Sequence, residues 1–104
     1  MRTAFHITLT SSLKSIRTRG LLGRYARGKR QAVWVVREAD VLWAIAHTMC
    51  KSWAKGQKLA IIKVDVRGLR LLRHSSERCL WIRGDVPPDR IEVTCSDVGR
   101  KVLS

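Results

Sequence analysis

The densest group of side chains that could bind a ligand is a short basic segment, residues 23–30, with the sequence GRYARGKR. Two glycines loosen its backbone, and Tyr25 stands among four cations. Cationic side chains neutralise phosphates, and an aromatic ring between them can stack on a base. The segment therefore predicts contacts with a phosphate-bearing ligand; the alternative is a surface loop whose charges only aid solubility. Its four cations are Arg24, Arg27, Lys29 and Arg30.

The positive charge of the chain is concentrated in its first third. Lys and Arg number 21 against 8 Asp and Glu, which gives a formal net charge of +13 at pH 7. No acidic residue precedes Glu38, whereas nine basic residues do. A nucleic acid or another polyanion is therefore expected to contact this third of the chain. The predicted nucleic-acid contacts are Arg17, Arg19, Arg27, Lys29 and Arg30.

A histidine and four tryptophans are the other side chains suited to a site. His6 lies beside Thr8 in an alternating segment, where it could bind a ligand or serve as a hydrogen-bonded structural residue. Trp34 lies in a β-branched run just after the basic segment, so it could flank a site or pack in the core. The remaining tryptophans fall on predicted apolar faces and are expected in the core. They are Trp43, Trp53 and Trp81.

Common catalytic motifs are missing from the sequence. It contains no paired carboxylates at glycosidase spacing, no nucleophile elbow, no dinucleotide-binding glycine fingerprint and no Walker loop. Cys50, Cys79 and Cys95 form no Cys-x-x-Cys pair, which predicts reduced thiols and no metal site. No apolar run reaches the roughly 18 residues of a membrane span, and no signal peptide is recognisable. These patterns predict no membrane partner and a cytoplasmic location.

The elements that would position these side chains follow from hydrophobic periodicity. A chain of 104 residues with 45% hydrophobic side chains predicts a single domain, residues 1–104, with one modest core. The order of elements predicts the α+β class, a small curved sheet with two helices against it. The predicted strands span residues 4–9, 32–36, 59–66, 68–72, 79–82 and 90–94, and the predicted helices span residues 12–19 and 39–55.

Taken together, these pieces resemble proteins of the ADP-ribosyltransferase fold. The strand Phe5-His6-Ile7-Thr8 and residues 12–22, SLKSIRTRGLL, resemble their opening, an aromatic-His-x-Thr strand before a short helix that ends in Gly-Leu. Residues 33–40 and 59–65 are similar to the next two elements, and residues 79–91, CLWIRGDVPPDRI, to the ending. The opening is similar to NAD-dependent RNA 2'-phosphotransferases and to DNA-targeting ADP-ribosyltransferase toxins, and the ending is closest to the former. The resemblance covers most of the chain.

The resemblance implies a minimal ADP-ribosyltransferase-like fold, with a small split antiparallel or mixed sheet and two helices. It also implies a cleft between the sheet halves that binds NAD+ and breaks the bond from nicotinamide to ribose. His6 would bind the nicotinamide-side ribose, Thr8 would support the first strand, and Trp34 would supply an aromatic face near the nicotinamide. Arg24 and Arg27, with the neighbouring cations, would bind the pyrophosphate or an acceptor phosphate.

This chain differs from the family that it resembles at the catalytic carboxylate. In most members a glutamate responds to the positive charge that develops on the ribose when nicotinamide leaves: it stabilises that charge or helps to deliver the nucleophile. Counting back from Val86, the position of this glutamate falls on Cys79. Glu77, two residues earlier, is the candidate catalytic residue. The RNA 2'-phosphotransferases need no carboxylate base, because their acceptor phosphate is already ionised. They also carry an additional N-terminal domain and a second histidine where this chain has Trp34.

Three functions remain open from the sequence. The first is an NAD+-binding ADP-ribosyltransferase-like enzyme that transfers ADP-ribose to, or processes a phosphate on, a nucleic acid or nucleic-acid-associated acceptor. The second is a non-catalytic basic nucleic-acid-binding module on a degenerate fold of the same kind, which the missing glutamate favours. The third is an accessory protein that binds an acidic protein surface.

Overall fold

The computed structural model describes residues 1–23, 32–73 and 78–98. These residues form an α+β domain, which confirms the predicted class. Within them, two helices and six strands are present, together with short 3-10 turns. The strands are β1 Thr3–Leu9, β2 Ala32–Val35, β3 Leu59–Asp65, β4 Leu71–Arg73, β5 Leu80–Arg83 and β6 Ile91–Cys95, and the helices are α1 Leu13–Arg19 and α2 Val41–Met49.

The strands form two antiparallel sheets of three strands each. The first sheet has the order β1-β3-β6 and the second has the order β2-β5-β4. Alternation along each strand directs every second side chain toward the main core. In the first sheet Ala60, Ile62 and Val64 are fully buried there, and in the second sheet Val33 and Val35 belong to the same cluster. The core therefore lies between the two sheets, and α1 covers it.

Helix α2 packs against a second apolar cluster. Its buried side chains are Ala44, Ile45 and Thr48, and Ala44 and Ile45 share this cluster with Ile7 of β1. Helical spacing of the apolar residues predicts that Leu42 shares the buried face with Ile45; this is wrong, because Leu42 is 67% exposed. A surface helix buries one stripe of side chains along its length. In α2 this buried stripe includes only some of the hydrophobic residues of the segment.

The predicted helix over residues 39–55 was too long at both ends. Glu38–Asp40 forms a 3-10 turn before α2, and α2 ends at Met49. Lys51 has an extended backbone with φ −79 and ψ 141, so the helix cannot continue through it. Ser52–Ala54 then forms another 3-10 turn, which buries Ala54 in the second cluster. Residues 50–55 thus bury Ala54 in the second cluster and do not form two further turns of α2.

The two sheets meet through a backbone bridge between Phe5 and Val36. The N–H of Phe5 donates to the carbonyl of Val36 at 2.9 Å, and the N–H of Val36 donates to the carbonyl of Phe5 at 2.8 Å. From this bridge β1 runs on to Leu9 and β2 runs back to Ala32. Across the described residues, no other bridge joins these two strands. The strands therefore part beyond the bridge, and the split opens a cleft.

No helix among the described residues is long and apolar enough to span a membrane.

Candidate functional site

The cleft between the parting strands widens into a cavity of about 930 Å³. Its volume lies at the upper end of the range for small-molecule sites, roughly 300–1,000 Å³. Strands β1, β2 and β5 and both helices, α1 and α2, contribute to its lining. The polar and aromatic residues that line it include His6, Thr8, Ser11, Ser12, Ser15, Trp34, Trp43, His47, Lys51, Trp53, Arg78 and Trp81.

His6 spans the narrow end of the cleft. Its Nδ1 lies 2.8 Å from the carbonyl oxygen of Trp34; His6 directly follows Phe5 of the bridge, and Trp34 lies two residues before Val36. A carbonyl can only accept a hydrogen bond, so Nδ1 carries the proton and donates. In the neutral imidazole, Nε2 therefore keeps its lone pair. This geometry makes His6 a hydrogen-bond acceptor at the wall of the cavity.

Burial keeps the His6 imidazole neutral near pH 7. It lowers the pKa of His6 below its ordinary value, and the hydrogen bond to the Trp34 carbonyl raises the pKa by less. The unprotonated nitrogen of a neutral imidazole can accept a hydrogen bond from a ligand hydroxyl, whereas an imidazolium cannot. The environment of His6 thus suits recognition of a ribose hydroxyl.

Trp34 reaches the cavity because its neighbours in β2 occupy the core. Val33 and Val35 are buried between the sheets, so alternation turns Trp34 to the opposite face. Trp34 stands directly across from Trp81 of β5 in the register, and both line the cavity. The Trp34 ring centroid is 5.1 Å from that of His6, with the planes tilted by 52°. An aromatic corner therefore forms beside the His6 imidazole.

A second aromatic group lines the cavity from α2. Trp43 and His47, one helical turn apart, stack with ring centroids 4.9 Å apart and planes at 15°. The guanidinium carbon of Arg78 lies 5.7 Å from the Trp43 ring centroid, within cation–π range. Arg78 Nη1 is also 3.6 Å from Asp40 Oδ1. This group holds a cation and a ring on the wall formed by α2.

The predicted core position of three tryptophans needs correction. Trp43 and Trp53 do pack against the second apolar cluster, but both of them and Trp81 are half-buried and line the cavity. The cavity gives each of these large rings a partly open apolar surface, so none of the three is fully buried. Sequence reasoning also missed His47 as a cavity residue. Its spacing of four from Trp43 was the available signal.

Gly20 fastens α1 beside the cavity. Its φ of +81 ends the helix, and its N–H donates to the Ile16 carbonyl at 2.7 Å. This confirms the predicted helix end at Gly20. The next residue, Leu21, forms a bridge with Val86 through two hydrogen bonds of 2.8 Å. Gly20 and Leu21 both line the cavity, so the bridge fixes that wall.

The described lining of the cavity is cationic. Lys51 and Arg78 contribute positive charge, and His6 and His47 contribute imidazoles. Among the described lining residues there is no aspartate or glutamate. A ligand with negative charge would therefore meet no like charge there. Cys79 stands just before β5, is buried, and lines the cavity at the point where the resemblance leads one to expect a glutamate.

The structure brings some of the predicted site residues together and leaves others apart. His6, Thr8 and Trp34 all line the one cavity. Arg17 and Arg19 are exposed on α1 and do not line it. The remaining predictions lie outside the described residues. They concern Arg24, Arg27, Lys29, Arg30 and Glu77.

Two described residues that flank the basic segment in sequence line the cavity, Leu22 before it and Ala32 after it. The N–H of Gly23, the first residue of the segment, donates to Asp85 Oδ1 at 2.8 Å. Contacts of the basic segment with a phosphate remain a prediction from the sequence.

Within the described residues, no group of three or more His, Cys, Asp or Glu is placed to hold a metal ion.

No protein-family model matches this chain, and no curated protein is similar enough to match it.

Proposed function

We propose that this chain is an ADP-ribosyltransferase-like protein that binds NAD+ and transfers ADP-ribose to, or processes a phosphate on, a nucleic acid or nucleic-acid-associated acceptor. One observation carries the proposal. His6, Thr8 and Trp34, the three described residues expected to bind the cofactor, line one cavity where two sheets part. The split between two antiparallel sheets also supports an ADP-ribosyltransferase-like fold.

The cavity suits a dinucleotide in size and in chemistry. About 930 Å³ is ample for a ligand with two ring systems and a pyrophosphate. Aromatic rings stand on two walls, at the His6–Trp34 corner and at the Trp43–His47 stack. Lys51 supplies positive charge to the cavity lining. A flat aromatic ligand that carries phosphates matches this combination of walls.

The chain's own side chains would orient the ligand and exclude water. When bound, NAD+ supplies the scissile bond between nicotinamide and ribose. His6 Nε2 would accept a hydrogen bond from a ribose hydroxyl, while Nδ1 stays fixed on the Trp34 carbonyl. The Trp34 ring would cover one face of the nicotinamide. Interactions of this kind accelerate a reaction only as far as they strengthen in the transition state.

A phosphate acceptor fits the cavity better than a neutral one. With Cys79 at the expected glutamate position, no described carboxylate would remove a proton from an acceptor or offset positive charge on the ribose. A phosphate is already ionised and carries that negative charge itself. Arg78 and Lys51 could position such a phosphate. Glu77 remains the sequence-based candidate for a catalytic carboxylate.

NAD+ in excess is expected to raise the melting temperature and to lose nicotinamide in the presence of an oligonucleotide. A ligand at 100 times its Kd stabilises the folded state by about 2.7 kcal/mol. For a domain of this size that corresponds to a shift of roughly 10 °C or more. Differential scanning fluorimetry measures the shift, and chromatography measures released nicotinamide. ADP-ribose, which lacks the nicotinamide, should give a smaller shift; no shift and no release would contradict the proposal.

A non-catalytic nucleic-acid-binding module is the second candidate, favoured by the absence of a carboxylate from the described cavity lining. Its binding should weaken steeply with salt, because contacts with phosphates release counterions. Charge reversal of Arg27 and Arg30 should weaken binding to all sequences alike. Fluorescence anisotropy between low and moderate salt measures both effects. Affinity that does not change over this range would exclude this function.

A further inference from the structure

Among the described residues, one face of the second sheet continues from the cavity to the outer edge of the sheet. In its register Trp34 lies across from Trp81, and Trp81 lies across from Leu72. Val33, Leu80 and their like-facing neighbours occupy the core, so these three side chains project from the other face. Leu72 does not line the cavity and is 37% exposed. An apolar row thus runs from the cavity to the outer edge of the sheet.

A pair of arginines forms the next row on the same face. Arg83 lies two residues beyond Trp81 in β5. Arg70 directly precedes β4, and continuing the ladder one step past its last pair, Leu71–Ile82, would place Arg70 opposite Arg83. Directly opposed residues have Cβ atoms about 5 Å apart. Two residues of strand separate the arginine row from the apolar row by about 7 Å. Both arginines are exposed.

The charges of these two arginines are not neutralised by the described part of the chain. Within residues 1–23, 32–73 and 78–98, no carboxylate lies within 4.0 Å of either guanidinium. Neighbouring cations are placed differently: Arg67 is 2.9 Å from Asp65, and Arg90 donates to the backbone carbonyls of Asp65 and Arg67. Arg70 and Arg83 have no such described partner, and two cations placed opposite each other on a sheet repel. A bound anion would relieve that repulsion.

We propose that the face formed by Leu72, Trp81, Arg70 and Arg83, here called the open face, binds a single-stranded nucleic acid that leads into the cavity. This proposal depends on the proposed function in one respect, the assumption that the acceptor is a nucleic acid. Apolar and aromatic side chains on a sheet accept unstacked bases, and adjacent guanidinium groups bind phosphates. A duplex buries its bases and would use only the arginines. The two kinds of row therefore favour a single strand.

The test compares two double charge reversals in the full chain without NAD+. Arg70→Glu/Arg83→Glu alters the open face. Arg73→Glu/Lys55→Glu makes the same change in net charge at exposed positions elsewhere; alternation turns Arg73 away from the open face, and Lys55 lies outside the second sheet. Fluorescence anisotropy measures binding of a labelled single-stranded RNA and a single-stranded DNA at several salt concentrations.

We expect the open-face variant to lose affinity for the single strands at least tenfold, and the control variant to lose less than threefold. The slope of log K against log salt should fall by about 1.4 in the open-face variant, for two lost phosphate contacts. Equal losses in the two variants would overturn the proposal. The proposal would also be overturned if duplex DNA of equal length bound wild type as tightly as a single strand does. The same holds if polyglutamate displaced the labelled strand as well as an unlabelled oligonucleotide does.

A milder variant guards against misfolding. Arg70→Gln/Arg83→Gln removes the repulsion without adding acidic groups, so at low salt its melting temperature should equal or exceed that of wild type. It should still lose single-strand affinity; unchanged affinity in this folded variant would overturn the proposal.

The NAD+ response separates this proposal from the proposed function. The open-face variant should keep the melting shift that NAD+ causes in wild type. If wild type shows no NAD+ response but the arginine variants lose oligonucleotide binding selectively, the proposed function fails and the open face stands. If NAD+ binds and the arginine variants keep full oligonucleotide affinity, only the open face is refuted.

Discussion

Gly20→Ala is expected to destabilise the protein by about 3 kcal/mol or more. An added Cβ would collide with the carbonyl oxygen of Val86 and lie 3.0 Å from backbone atoms of Pro87. That carbonyl accepts the hydrogen bond of Leu21, so the collision cannot be relieved by rotating a side chain. The φ of +81 adds strain for any residue with a Cβ. Urea unfolding at pH 7 measures the loss.

Gly68→Ala is the matched control for this prediction. Gly68 also has a positive φ, +77, but its added Cβ would meet no atom within 4 Å. Only the backbone strain remains, and it should cost about 1 kcal/mol. The difference between the two variants isolates the close approach of Gly20 to Val86. Equal destabilisation would show that the backbone at Gly20 moves away at little cost.

His6→Ala is expected to weaken NAD+ binding by about 10- to 100-fold, the loss of roughly one hydrogen bond from a buried polar group. The variant removes the acceptor at Nε2 and leaves the Trp34 carbonyl without its partner. The NAD+-induced melting shift should largely disappear, and nicotinamide release should fall with it. His47→Ala removes an exposed imidazole from the Trp43–His47 stack but leaves the Trp43 ring and the His6 acceptor in place, so it should weaken binding less than His6→Ala does.

The pH dependence separates ligand recognition by His6 from a purely structural role. Its pKa is lowered by burial, so the folded state prefers the neutral ring. The stability that this preference provides is complete above the unfolded histidine pKa of about 6.5 and is lost as pH falls toward the lower folded value. NAD+ affinity in wild type should decline at lower pH, where the imidazole of the folded protein itself takes up a proton. An unchanged affinity there, or equal losses in the His6 and His47 variants, would contradict recognition by His6.

The strongly periodic elements could be predicted from the sequence. The strand over residues 4–9 and the helix that ends before Gly20 lie within one residue of their predicted bounds. Alternation and a glycine helix end are local signals, so no tertiary information was needed. The end of α2 was wrong because packing of Ala54 and Trp53 against the second cluster determines it. Nothing in residues 50–55 alone indicates that contact.

The candidate site was predictable only where its residues lie on β1 and β2. His6 and Trp34 were found through strand patterns and through the resemblance, and the structure places both at the cavity. The wall from α2 was missed, because an amphipathic pattern shows which residues are apolar but not which of them border a cleft. Arg78 joins Trp43 only through tertiary packing. Such a contact between residues 35 positions apart has no local signature.

Because the two sheets are joined at the Phe5–Val36 bridge, the width of the cleft depends on the angle between them. Each sheet keeps its own ladder, while among the described strands β1 and β2 share just the two backbone hydrogen bonds of that bridge. A rotation about this point would change the separation of Thr8 and Trp34 much more than that of Phe5 and Val36. The bridge and the His6–Trp34 hydrogen bond therefore hold the narrow end of the cleft together, and the apolar side chains between the sheets set the angle at which the strands part.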